Sequence, residues 1–315
     1  MGENGRSSDP LTLPKTELVE SESVPEKSSL ATAPTLAVQF FLIPLAVVGV
    51  VVLVYGGFRT LVTTERTPEE FLNDIQTGGR ERRWPAAYEL SRLLADPEIE
   101  SQYPSLGASI VKAFAESEGD DPRVRRYLAL AVGQLKALPS NAVGELIDGL
   151  EDPDSETSIS VIWALASVGD ELVVPAIEAM YASTDAGVRK MAVYALGVLP
   201  SGDSPRVLLS ALDDEVSDVQ WNAAVALARH GREDGLKVLS RMLNRDYVER
   251  TVNRTGSIDA TLDPVSEVMV SGLQAVAVLK AEGLRVPVAE LSRDDVNLRV
   301  REVAIRTLEA FNAQD

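Results

Sequence analysis

A step of 31 residues constrains this chain more than any other feature. Leu146, Ile177, Leu208 and Leu239 are each 31 apart, and Leu150, Tyr181, Leu212 and Leu243 repeat the same step four residues later. A second ladder, Val132-Gly133, Leu165-Ala166, Leu196-Gly197 and Leu227-Ala228, advances by 33, 31 and 31. Self-similarity of this length is the signature of stacked helical hairpins, none able to bury its apolar stripe without a neighbour. The reading is an all-α solenoid in which the second ladder marks the first helix of each unit and the leucine ladder marks the second. Hydrophobic residues make up 45% of the chain but aromatics only 5%, so the core must be built from Ala, Val and Leu. Closely packed helices require such small side chains.

Residues 1–35 are rich in Ser, Thr, Pro and Glu and poor in large apolar groups, and they are expected to form a disordered acidic tail. Leu36 to Phe58 follow, 23 residues without a charge. As a helix at ~1.5 Å per residue they cover roughly 34 Å, enough for a ~30 Å hydrocarbon layer, so one transmembrane helix is expected over 36–58. Arg59 and Arg66, then Arg80, Arg82 and Arg83, outnumber Lys27 on the other side, which places the solenoid in the cytoplasm and the tail outside. Residues 59–78 read as a linker and capping helix: Thr67 as N-cap, Pro68 first in the helix, Glu70 closing a capping box, and Gly78-Gly79 ending it.

From 79 to 315 the repeats run on. The motif Asp121-Pro122-Arg123-Val124-Arg125 returns as Asp185-Ala186-Gly187-Val188-Arg189, and VRKMAVYALGVL, VQWNAAVALARHG and VREVAIRTLEAF share one pattern. In the first of these, Val188, Met191, Ala192, Ala195, Leu196 and Leu199 follow the i, i+3, i+4 spacing of a single helix face. This pattern resembles the HEAT repeat family, in the form called phycobilisome-lyase-type HEAT repeats, over about three quarters of the chain, Gly79 to Phe311. The resemblance implies a ladder of Asp and Arg between adjacent units, carried here onto Asp121, Arg125, Asp185 and Arg189 and interrupted at Ser158 and Gln220. It also implies a groove lined by the second helices.

The regular step fails once: Leu227 to Leu273 is 46 residues, and the surplus, Tyr247 to Asp263, reads as a polar insertion loop. Insertions of this kind emerge on binding faces, so Tyr247, Arg250 and Arg254 are candidate partner contacts, with Tyr181 and Arg241 beside the second helices.

Chemistry is sparsely signalled. The chain has no Cys and one His, His230, placed at a helix end where it faces the negative pole of the dipole. The resemblance includes di-iron hydroxylases built on several His-Glu dyads, and a single His cannot supply them. No catalytic residue, metal ligand or cofactor is expected. Thirty Lys and Arg against 48 Asp and Glu give a net charge of −18, which disfavours nucleic acid. The expectation is a membrane-anchored, non-catalytic scaffold that holds a protein or peptide in its groove. The alternative is an enzyme or assembly factor of the chromophore-lyase type.

Overall fold

The computed structural model describes residues 43–62, 66–200, 205–255 and 263–313. The tail at 1–35, the start of the apolar span at 36–42 and the end of the insertion at 256–262 lie outside the described residues. The chain divides into two compact units at Glu65–Arg66.

In the first unit, α1 (Ile43–Val62) carries side chains described from Leu45 to Gly57, all exposed. Among the described residues, no helix is long and apolar enough to cross a membrane.

The second unit is a succession of helical hairpins. It opens with α2 (Pro68–Thr77), where Thr67 accepts a hydrogen bond from the Glu70 amide and Pro68 takes the first helical position. The first helices of the hairpins are α3 (Arg80–Leu93), α6 (Pro122–Gly133), α8 (Ser155–Val168), α10 (Ala186–Val198), α12 (Ser217–Arg229), α15 (Pro264–Leu279) and α17 (Leu298–Asn312). Between them run α4 (Pro97–Gln102) and the second helices α5 (Leu106–Glu116), α7 (Ala142–Asp148), α9 (Val174–Met180), α11 (Pro205–Ala211), α13 (Leu236–Met242) and α16 (Arg285–Asp294).

Both ladders point inward. Leu146, Ile177, Leu208 and Leu239 are at most 1% exposed, as are Val132, Leu165, Leu196 and Leu227. Consecutive first helices pack directly on one another, whereas second helices touch their neighbours sparingly. The small residue of the first-helix ladder makes this possible. A Cβ on Gly133 would lie 2.6 Å from Ala164 Cα, and one on Gly197 would lie 2.5 Å from Ala226 Cβ. Such contacts are closer than any real side chain tolerates, so the backbones approach only because glycine and alanine stand there.

The expected insertion loop is corrected in its first half. Arg245–Thr255 form a helix, α14, with Val248 and Val252 buried against the same core as α13 and α15. One apolar pair at i, i+4 anchors it, a signal too brief for the sequence period to register.

Candidate functional site

Five of the seven first helices begin on a side chain that accepts from their own amides: Asp121 from Arg123, Asp154 from Thr157, Asp185 from Gly187 and Val188, Asp263 from Ser266, and Asn297 from Arg299 and Val300, while α3 and α12 start on Gly79 and Val216 without one. The Val188 amide, first among several donors, holds the Asp185 carboxyl below the usual carboxylate range. Asp121 and Asp185 are therefore caps, and the ladder expected of them is made by other carboxylates. Arg125 donates to Asp152 at 2.6 Å, and Arg189 donates to Asp214 at 2.9 and 3.1 Å. Arg83 pairs with Asp120 in the same way. The arginine four residues past one cap reaches forward to the turn that opens the next unit. Those aspartates work twice, since Asp152 also accepts from the Asp154 amide at 2.9 Å and Asp214 from the Val216 amide at 2.9 Å. Burial pushes the Asp214 carboxyl up, but the Arg189 hydrogen bond and the Val216 amide outweigh it and hold the group below its ordinary value.

At the interrupted rungs the partners change together. Ser158 donates to the Leu150 and Asp152 carbonyls at 3.2 Å, and Ser183, at the next unit's carboxylate position, receives the Asp185 amide at 3.2 Å, so neither position carries a charge. Farther on, α15 offers Glu267 at the rung position, and Arg245 of α14 supplies the guanidinium instead, at 2.7 and 2.9 Å from the Asp295 carboxylate.

The first helices also carry an apolar surface. A cleft of about 500 Å³ crosses α8, α10, α12 and α15, with Trp163, Met191, Tyr194, Val225 and Val268 among its walls. A second cleft, about 520 Å³, is lined by Ser91, Arg92, Leu130 and Gln134 and shares Trp163 with the first. The track is built by register: Tyr88, Leu130, Trp163, Tyr194 and Val225 each stand nine residues past their helix's N-cap. Tyr88 and Tyr194 are each 37% exposed. The first helices thus carry a groove in addition to the one expected on the second helices, beside which clefts of about 550 and 620 Å³ reach Glu145 and Glu290. A row of large apolar residues outside the buried stripe was the signal for the first-helix groove; Tyr194 interrupts the core pattern of VRKMAVYALG and faces out.

Charges rim the groove unequally. Lys190 lies 3.7 Å from Asp218, and Glu267 pairs with Arg299. Arg229 lies over the Tyr194 ring at 5.6 Å, and no ion pair reaches it among the described residues.

The expected contact residues are dispersed. Tyr181 is half-buried, its hydroxyl bonded to Asp214, and burial raises its pKa. Tyr247 and Arg241 meet, the guanidinium 5.7 Å from the ring, while Arg241 also donates to Gln220 at 3.3 Å. Arg250 is exposed on α14, and the Arg254 side chain lies outside the described residues. His230 ends α12 with Nε2 2.9 Å from the Leu196 carbonyl. A carbonyl only accepts, so Nε2 carries the proton and satisfies a group that the end of α10 leaves open. Trp84 lies under the Arg123 guanidinium at 4.9 Å, and Trp221 is buried. Groups of three or more His, Cys, Asp or Glu in a metal-holding arrangement do not occur among the described residues.

A profile of HEAT repeats matches residues 110–197 and 175–255. The helical hairpins form a HEAT-type solenoid. Among solved structures, the CpcE–CpcF complex of phycocyanin lyase from Nostoc sp. is 18% identical, with a TM-score of 0.51 over 79% of this chain and 96% of that one. An engineered protein is 19% identical over 78% and 96%, with a TM-score of 0.41, and human deoxyhypusine hydroxylase 18% identical over 78% and 96%, with a TM-score of 0.34. No curated protein matches the chain. At these identities the HEAT likeness is one of fold.

Proposed function

We propose that this HEAT solenoid is a non-catalytic scaffold that holds a segment of a partner protein in its first-helix groove. The supporting observation is the apolar track itself, which joins Trp163, Met191, Tyr194 and Val225 across successive helices. Repeat stacking makes such extended surfaces, and exposed aromatics with an arginine are the residues that carry binding energy. A photo-crosslinking residue in place of Tyr194 should capture the partner. The same residue at Glu178 or Ser240, on second helices, should not; capture from the second helices alone would overturn the assignment.

The scaffold is proposed to be a single-pass membrane protein anchored by Leu36–Phe58, with the solenoid on the cytoplasmic side. The uncharged length of that segment supports this reading. The full chain should stay with membranes through an alkaline carbonate wash, and release into the supernatant would contradict anchoring.

A second reading, an assembly factor or enzyme of the chromophore-lyase type, is favoured by the likeness to the phycocyanin lyase complex. Under it, chain purified from pigment-producing cells carries visible absorbance that is lost on changing Trp163 or Tyr194. Colourless protein from such cells speaks against it.

A further inference from the structure

We infer that the segment held in the groove is a polyproline II stretch with a carboxylate at one end, an inference that rests on the groove reading above. Three observations carry it. The first is register. Packed helices lie ~8–10 Å apart, and a polyproline II chain completes one three-residue turn in ~9.3 Å. Crossing the first helices, it would therefore present the same face to Leu130, Trp163, Tyr194 and Val225 in turn, one residue in three. Grooves walled by aromatic rings receive proline in this way.

The second is the backbone of the groove. An added strand is excluded, because the amides lining the groove are spent inside helices and offer no edge. A polyproline II chain needs no backbone partner and meets that limit. The third is charge. Lys190 and Glu267 are answered by Asp218 and Arg299, which leaves Arg229 as the groove's unpaired charge among the described residues. A carboxylate on the ligand complements it, and the adjacent Tyr194 ring orders the guanidinium.

The test is fluorescence anisotropy of a labelled decaproline ending in two glutamates, titrated with the full chain. Tyr194→Ala should weaken binding at least ~10-fold and Tyr194→Phe should retain it, with circular dichroism confirming that both variants fold. Replacing alternate prolines by glycine should cost at least ~10-fold, because the free peptide loses its preset conformation. Exchanging the glutamates for lysines should weaken binding, and Arg229→Glu should restore it. Equal affinity for the glycine-substituted peptide, or no binding of the decaproline, would overturn the inference. If the decaproline fails while a partner still crosslinks at position 194, only the polyproline assignment falls. If crosslinks move to the second helices, the groove reading falls with it.

Discussion

The junction of α6 with α8 and the junction of α15 with α17 solve one problem by different routes. In the first, Arg125 and Asp152, 8% and 7% exposed, belong to consecutive repeats and meet where the motif puts them. In the second, the repeat supplies Glu267, which points elsewhere, and Arg245 from an inserted helix completes the pair with Asp295, 1% exposed. Between these two, the α8–α10 junction carries Ser158 and Ser183 and no charge. What each junction requires is a satisfied pair, because a buried carboxylate is costly alone and inexpensive when it has its donors. The insertion is thus a structural member as well as an addition.

The largest effect should come from the borrowed rung. Arg245→Ala leaves Asp295 buried without its guanidinium and removes the tie that holds α14, at an expected cost of ~3–5 kcal/mol by urea unfolding. A loss under ~1 kcal/mol would mean that the insertion is not holding the junction. Next comes the interchange of rungs. Arg125→Ser alone should cost ~3 kcal/mol, whereas Arg125→Ser with Asp152→Ser, which copies the Ser158–Ser183 junction, should recover at least half of it. Simple addition of the two single losses would refute the equivalence of charged and neutral rungs.

Acid sharpens the same contrast. Asp214 titrates below its ordinary value in the folded chain, so its contribution is complete above about pH 4 and is lost as pH falls through the folded pKa. Asp214→Asn should therefore be less stable than the parent at neutral pH and should approach it as the pH falls below about 4. A gap independent of pH would contradict the pairing. The smallest effect belongs to the exposed Lys190–Asp218 contact on the groove rim, where Lys190→Ala should change stability by less than ~1 kcal/mol.

Much of this fold was legible in the sequence, because burial at a fixed period repeats the same residues at the same step. Leu146, Ile177, Leu208 and Leu239 needed no coordinates. The ladder was legible only in part. A ladder between adjacent units was implied by the resemblance, but the Asp of D-x-x-V-R is spent as a cap, and the carboxylates that answer Arg125 and Arg189 are Asp152 and Asp214, brought there by stacking. The first-helix groove went unread for a related reason. Sequence period reports which face is buried and is silent on which row of helices packs more closely, and Gly133 and Gly197 settle that through contacts that exist only between units. Trp163 and Trp221 stand four positions apart within their helices, which keeps them on one face, and both line the first-helix cleft, Trp221 more deeply buried.

The close approach of first helices, which creates the groove, can be measured directly because the chain has no cysteine to remove. Spin labels at Ser160→Cys and Asn222→Cys, six residues past their caps and two units apart, should be separated by ~16–20 Å, two helix spacings. Labels at Glu178→Cys and Ser240→Cys, two units apart on the second helices, should give a clearly longer distance. Equal distances, or a shorter one between the second helices, would contradict the arrangement on which the binding face depends.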